Sequence, residues 1–132
     1  MVYLIDTHIL LWWLMRPEKI PPKAMVAIEQ SEQVYVSGLS FWEISLKYSL
    51  GKLELQGLMP EELPDHTRAS GLGILECDSG MFASFHQLPR LGHRDPFDRM
   101  LIHTAIRHNM TLISRDQAFA DYRAHGLKLF QA

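Results

Sequence analysis

Residues 2–15 read VYLIDTHILLWWLM, in which a predicted strand passes directly into a predicted helix. Val2–Ile5 is a short, unbroken apolar run, which is typical of a strand buried on both faces of a sheet. Thr7 can cap the helix that the apolar pattern predicts over His8–Met15. The carboxylate of Asp6 therefore stands at the junction between a buried strand and a helix, where an unpaired charge is unfavourable.

The same alternation of strand and helix continues along the chain. Further strands are predicted at 33–37, 73–77, 111–113 and 127–130. Further helices are predicted at 22–30, 41–50, 60–69, 79–88, 96–108 and 117–123. Residues 52–55 fit either an extended segment or a further helical turn. Strands that alternate with helices predict an α/β fold, in which a central parallel sheet of about five strands lies between two helical layers.

Composition limits the class of protein. The 132 residues predict a single domain over 1–132, and 47% apolar with 21% charged residues is ordinary for a globular protein. A net charge of -2 argues against a broadly basic nucleic-acid surface. The lone Cys77 excludes a disulfide framework and suits a reducing cytoplasm. No apolar run is long enough to span a membrane, and no signal peptide is recognisable.

Four acidic residues stand at predicted junctions between strands and helices: Asp6, Glu43, Asp98 and Asp116. Each has an ordinary structural interpretation as well. Asp6 and Asp116 can cap the helices that follow them, with Thr7 and Ser114 as alternative caps. Glu43 occupies the capping-box position after Ser40, and Asp98 can complement the dipole of its helix, which Asp95 can cap.

The predicted topology brings these acids together. Ligands of parallel sheets bind beyond the carboxyl ends of the strands, where Asp6, Glu43 and Asp116 are expected. Asp98 opens the helix that leads into strand four, so we expect it at this edge only if the loop over 89–97 carries the helix start there. Four carboxylates at one edge predict a site for Mg²⁺ or Mn²⁺, with one or two ions.

Other chemistries find less support. There is no glycine-rich phosphate loop and no serine-nucleophile motif. A phosphoryl-accepting Asp6 remains an alternative, although phosphatases of that type place a second aspartate where this chain has His8. Four basic residues lie close to the acids in sequence and can form either salt bridges or a basic rim for phosphates: Lys47, Arg94, Arg99 and Arg115.

The segments YLIDTHILLWWL, SFWEISLKYSLGKLEL, DPFDRMLIHTA and TLISRDQAF together resemble the PIN-domain family, and in particular the VapC-type toxins of toxin–antitoxin pairs. The resemblance covers nearly the whole chain and implies a three-layer PIN-like fold. It also implies an endoribonuclease in which a metal-activated water hydrolyses RNA, commonly a structured RNA such as tRNA.

The resemblance also assigns roles to residues of this chain. It implies that Asp6, Glu43, Asp98 and Asp116 are catalytic and hold the metal ion. Thr7, Ser114, Asp95 and Arg99 are implied as supporting residues, and Asp95 competes with Asp98 for the role of third acid. His103 stands where the family usually has a small residue. A cognate antitoxin and a homodimer are the implied partners, and one of the adjacent Trp12 and Trp13 can lie in such an interface.

Two other functions stay open at this point. One is a non-catalytic PIN scaffold that only binds RNA or a protein, against which the intact set of four acids argues. The other is the aspartate-based phosphatase.

Overall fold

Five parallel strands form one sheet in the order β3-β2-β1-β4-β5, in a computed structural model that describes all 132 residues. The strands are β1 (Val2–Ile5), β2 (Gln33–Ser37), β3 (Gly73–Leu75), β4 (Thr111–Ser114) and β5 (Lys128–Gln131). The α-helices are α1 (Thr7–Met15), α2 (Pro22–Glu29), α3 (Leu39–Ser49), α4 (Leu63–Ala69), α5 (Ser79–Ala83) and α6 (Pro96–Arg107). Four 3-10 segments complete the chain, at Pro17–Lys19, Pro60–Glu62, Ser84–Gln87 and Gln117–His125. The predicted α/β fold with a five-stranded parallel sheet is confirmed.

The sheet is buried on both faces, as the apolar run of β1 predicts. Tyr3 and Ile5 pack into a cluster with α1, α2, α3 and α4, whereas Leu4 packs into a second cluster with α6. Successive side chains of a strand point to opposite faces, so this division defines a three-layer sandwich. Leu4 and Ile5 are fully buried, and each such side chain stabilises the fold by about 1.5–3 kcal/mol.

The strand order creates a crevice between β1 and β4. The chain first moves from β1 to β2 and β3 on one side, and then crosses to β4 and β5 on the other. Parallel sheets bind ligands where the direction of winding changes in this way. Asp6 directly follows β1 and its backbone N–H donates to the carbonyl oxygen of Ile113 in β4 at 3.1 Å. The first acid therefore lies at the switch point.

Asp98 reaches the same edge without help from the loop that precedes it. A helix that leads directly into a parallel strand runs antiparallel to it, so its N-terminus lies at the carboxyl edge of the sheet. Because α6 leads into β4, Asp98 in its first turn belongs at this edge whatever the path of residues 89–97. The expectation that Asp98 needs the loop over 89–97 to reach this edge was wrong.

The start of α3 also differs from the prediction. The helix begins at Leu39 with Gly38 as N-cap, and no side chain caps it. Ser40 and Glu43 consequently lie inside the helix, so the capping-box interpretation of Glu43 was wrong. The predicted stop at Gly51 agrees with the structure, since its φ of +71° is the left-handed conformation that favours glycine after a helix.

Several other boundaries shift without changing the architecture. The segment from Gln117 to His125 is 3-10 rather than α-helical, and Asp116 rather than Ser114 caps it. Residues 52–55 adopt neither helix nor strand. The helix predicted over 60–69 divides into the 3-10 segment Pro60–Glu62 and α4. Pro64 stands in the first turn of α4, where proline is tolerated. None of the helices combines the length and the apolar character needed to cross a bilayer.

Candidate active site

Five carboxylates line one cavity of about 140 Å³ at the carboxyl edge of the sheet, which we call the acidic cavity. They come from the ends of β1 and β4 and from the first halves of α3 and α6. The residues that line the cavity are Asp6, Thr7, His8, Glu43, Lys47, Asp95, Asp98, Arg115, Asp116 and Phe119. The structure thus brings together all four acids that the sequence singled out, with Asp95 as a fifth.

Asp6 combines a structural role with its place in the cavity. It is the N-cap of α1, where its Oδ1 accepts the backbone N–H of Ile9 at 2.9 Å, and only 7% of the residue is exposed. Burial raises the pKa of Asp6, and the hydrogen bonds from Ser114 and from the Ile9 N–H offset only part of that effect. A cation in the cavity would stabilise the charged form.

Glu43 is held by two neighbours on either side of its carboxylate. Thr7 Oγ1 lies 2.7 Å from Oε1 and 2.9 Å from Ser40 Oγ, so the single hydroxyl proton of Thr7 can be donated to Glu43 while Ser40 donates to Thr7. Lys47 Nζ contacts Oε2 at 2.7 Å. Glu43 is 5% exposed, and this hydrogen bond and ion pair fix its orientation toward the cavity.

The surroundings of the partly buried Asp98 also disfavour its charged form. Burial raises its pKa to about 6, and repulsion from Asp95 and Glu43 acts in the same direction. His93 partly opposes this effect, because its Nε2 lies 3.0 Å from Asp98 Oδ2. Asp95 caps α6 by accepting the backbone N–H of Phe97 at 2.8 Å, as the sequence predicts.

Asp116 lies on the exposed side of the cavity. Its Oδ1 accepts the backbone N–H of Ala118 at 2.9 Å, so it caps the 3-10 segment that follows β4. The fully buried Ser114 hydroxyl accepts the backbone N–H of Asp116 at 3.0 Å. Ser114 therefore holds the turn that carries Asp116, and it also neighbours Asp6.

The basic residues divide into two groups. Lys47 and Arg115 line the acidic cavity, and the Arg115 guanidinium also lies 5.3 Å from the ring centroid of Trp12. Arg99, which the resemblance names as a supporting residue, makes its contacts elsewhere. Its guanidinium donates to the carbonyl oxygen of Leu88 and lies over the ring of Phe85.

The donor set fits a divalent cation. Glu43, Asp95 and Asp98 each offer an oxygen within 4.8 Å of the others, and His93, Asp98 and Asp116 form a second such group. Neighbouring oxygens around an octahedral Mg²⁺ ion at about 2.1 Å lie about 3.0 Å apart, so an ion would have to draw these side chains closer together. Carboxylate oxygens are the ligands that Mg²⁺ and Mn²⁺ prefer, and Asp98 belongs to both groups.

Sequence reasoning did not identify His93. Its imidazole lies between Asp98 and Phe119, with the two ring centroids of His93 and Phe119 5.3 Å apart. A loop residue without periodic pattern carries no signal of its own, and only its position two residues before Asp95 pointed to the site. His103 is instead buried away from the acids, where its Nε2 lies 2.9 Å from Ser84 Oγ.

Both tryptophans of α1 are partly buried. The Trp13 indole N–H donates to Ser70 Oγ at 2.9 Å, while the Trp12 ring packs beneath Arg115. The strongly exposed tryptophan is Trp42 on α3, at 62%. Trp42 directly precedes Glu43 in the sequence, but its ring points outward and contacts Phe97 edge-on.

Known proteins share this architecture. The PIN domain family matches residues 3–124. Ribonuclease VapC22 from Mycobacterium tuberculosis is 26% identical over 125 residues, which cover 91% of each chain. The crystal structure of VapBC2 from Rickettsia felis, bound to a DNA fragment from its promoter, is similar with a TM-score of 0.70 at 17% identity, covering 100% of this chain and 99% of that one. FitAcB from Neisseria gonorrhoeae is similar with a TM-score of 0.65 at 22% identity, covering 98% and 96% of the two chains.

These matches confirm the resemblance that the four acidic segments predict. The family match spans nearly the whole chain, and the solved structures share its fold from end to end. The chain belongs to the PIN-domain family.

Proposed function

We propose that this protein is a metal-dependent endoribonuclease and the toxin of a toxin–antitoxin pair. The observation that carries the proposal is the acidic cavity, which collects five carboxylates from distant parts of a PIN fold. The ribonuclease named VapC22 supports RNA as the substrate class. The likeness to VapBC2 supports an antitoxin as partner.

Each residue of the cavity has a defined task in this proposal. Asp6, Glu43, Asp98 and Asp116 would hold one or two Mg²⁺ or Mn²⁺ ions, with Asp95 beside them. A bound cation of this kind activates a water and neutralises charge on the phosphate. Thr7 orients Glu43, His93 orients Asp98, and Ser114 holds the turn of Asp116. No serine or cysteine lines the acidic cavity.

The finer assignments belong to the same proposal. We take a structured RNA such as tRNA as substrate, a cognate antitoxin and a second copy of the chain as partners, and the cytoplasm as compartment. A protein interface finds support in an exposed apolar stripe along α3, where Trp42, Leu46 and Leu50 recur at intervals of one helical turn. The free thiol of Cys77 suits a reducing compartment.

RNA cleavage by the purified protein tests the activity. Wild type should cut RNA with Mg²⁺ or Mn²⁺ and stop when the ions are chelated. Asp6→Asn and Glu43→Gln keep the shape of each side chain but remove its charge, so each should slow cleavage at least about 100-fold, beyond the usual effect of outer-shell partners. Glu61→Gln, at an exposed acid of the Pro60–Glu62 segment, is the matched control and should cleave like wild type.

Two alternative outcomes would redirect the assignment. A covalent phosphate trapped on Asp6 would establish the phosphatase, although the side chain is buried and already accepts the Ile9 N–H. Equal RNA affinity of wild type and Glu43→Gln without turnover by either would establish the non-catalytic scaffold. Both results would contradict the ribonuclease.

Oligomeric state tests the second partner. Light scattering of the purified chain should give the mass of a homodimer. Trp42→Glu places a charge in the exposed stripe and should shift the equilibrium toward monomer if the stripe is the interface. A monomer of wild-type protein at all concentrations would contradict the homodimer without affecting the proposed chemistry.

A further inference from the structure

An RNA substrate faces an electrostatic problem at this site. The acidic cavity presents five carboxylates, and the whole chain carries a formal charge of -2. Most of the affinity of proteins for nucleic acid comes from cations that neutralise backbone phosphates. Cations near the cavity must therefore hold the RNA strand on either side of the phosphate that is cleaved.

Two of the nearby cations are already engaged. Lys47 Nζ lies 2.7 Å from Glu43 Oε2. The charge of Lys47 is therefore largely neutralised by its partner. Arg115 lies over Trp12 and next to Asp116 on the other wall of the cavity.

A second cavity of about 280 Å³ adjoins the first and has a different character. It shares Thr7, His8, Glu43 and Lys47 with the acidic cavity, so the two have a common wall. Lys52 enters only the second cavity, and the remaining lining is apolar, from Leu11, Ile44 and Leu53. Its single carboxylate is Glu43, which Lys47 pairs. We call this second space the basic cavity.

The end of α3 directs both lysines into the basic cavity. Gly51 reverses the chain in the left-handed conformation, and the backbone N–H of Lys52 then donates to the carbonyl oxygen of Lys47 at 2.9 Å. The two residues are thereby joined at the backbone. Lys52 is exposed and makes no ion pair in the protein. Its ammonium is the one free cation that the basic cavity offers to a ligand.

We propose that the basic cavity binds a phosphate of the RNA strand adjacent to the phosphate that is cleaved, with Lys52 as its principal contact. This inference rests on the proposed ribonuclease function. The shared wall lets one continuous strand cross from the acidic cavity into the basic one. Lys47 sits on that wall, and the apolar lining provides a surface for the nucleoside that joins the two phosphates. An acidic protein segment would satisfy the same lysine, but it has no reason to continue into a cavity of five carboxylates.

Binding of a short fluorescent oligouridine provides the test, in an Asp98→Asn background so that the probe is not cut. Lys52→Glu should weaken the affinity for the probe about 10-fold. It should also lower the slope of log affinity against log salt concentration by about 0.7, the value for one phosphate of a single strand that is no longer neutralised. Lys52→Arg should retain both properties. Lys23→Glu makes the same charge change at an exposed position of α2 outside both cavities and should bind like the parent.

The result that would overturn the inference is an equal effect of Lys52→Glu and Lys23→Glu on affinity and on salt slope. If Lys52→Glu still bound RNA but no longer bound an acidic peptide, the cavity would belong to a protein ligand and the inference would be overturned as well. Failure of the ribonuclease proposal looks different, because wild-type protein with Asp98 intact would then leave RNA uncut whatever stands at position 52.

Discussion

At the scale of single residues, Asp98 links the stability of the protein to its proposed chemistry. Its side chain is 28% exposed, neighbours Asp95 and Glu43, and has a pKa raised to about 6. The folded protein therefore carries this charge at neutral pH at a cost that the unfolded chain does not have. A bound cation removes this electrostatic cost of the charged Asp98. That gain in free energy adds to the affinity of the site for a metal ion.

Replacing that charge should stabilise the protein without metal. We expect Asp98→Asn to raise the free energy of unfolding in the presence of a chelator by about 1 kcal/mol, after allowance for solvent screening. The same variant should lose most of the rise in melting temperature that Mn²⁺ causes in wild type. Urea unfolding and thermal melts measure the two effects, with Asp121→Asn at an exposed position as control. A variant less stable than wild type in chelator would contradict this account of Asp98.

His103 should make the stability of the protein depend on pH, with stability increasing as the pH rises. Burial lowers its pKa, and the nearby charges of Arg107 and His86 add to the effect. Between the lowered value and the ordinary value of 6.5 the unfolded chain binds more protons, so this contribution to stability is present above that window and is lost as the pH falls through it.

Exchange of the imidazole isolates this contribution. His103→Gln cannot be protonated but can still reach Ser84, so its loss of stability between about pH 7.5 and about pH 5.5 should be smaller than that of wild type. Urea unfolding at both pH values gives the difference. An unchanged difference would show that His103 does not titrate in this range.

At the scale of elements, α1 carries a functional residue at its own start. Asp6 caps the helix and lines the acidic cavity, so its two roles can be separated by substitution. Asp6→Asn keeps an oxygen for the Ile9 N–H, whereas Asp6→Ala removes it. Both variants should lose cleavage, but Asp6→Ala should be about 1 kcal/mol less stable than Asp6→Asn in urea unfolding. Equal stabilities would mean that the cap does not hold α1.

The same elements explain what could be read from the sequence. Val2–Ile5 was predicted within its true bounds because burial on both faces leaves an unbroken apolar run. Ser40 fits the local pattern of an N-cap and so offered a capping-box interpretation of Glu43, but α3 begins at Leu39 with Gly38 as its N-cap, and a glycine cap leaves no such pattern. The contact of His93 with Asp98 likewise depends on the path of a loop, and loops have no periodicity to reveal it.

At the scale of the whole molecule, strand order creates the site. β1 lies at the centre of the sheet between β2 and β4, so the residues after β1 and β4 meet at the switch point. The helices that connect the strands start at this same edge and add Glu43 and Asp98 to it. The acids are thus neighbours in space because of topology, although Asp6 and Asp116 stand at opposite ends of the chain.

The claim that the acidic cavity holds a catalytic divalent cation is tested most directly by measuring Mn²⁺ binding and RNA cleavage on the same samples. Electron paramagnetic resonance follows free Mn²⁺ during a titration, while cleavage of a labelled RNA is followed in parallel. We predict that cleavage by wild type rises with the bound fraction of one or two ions, and that Asp98→Asn loses both together. RNA cleavage by wild-type protein that binds no Mn²⁺ and continues in excess chelator would contradict the account.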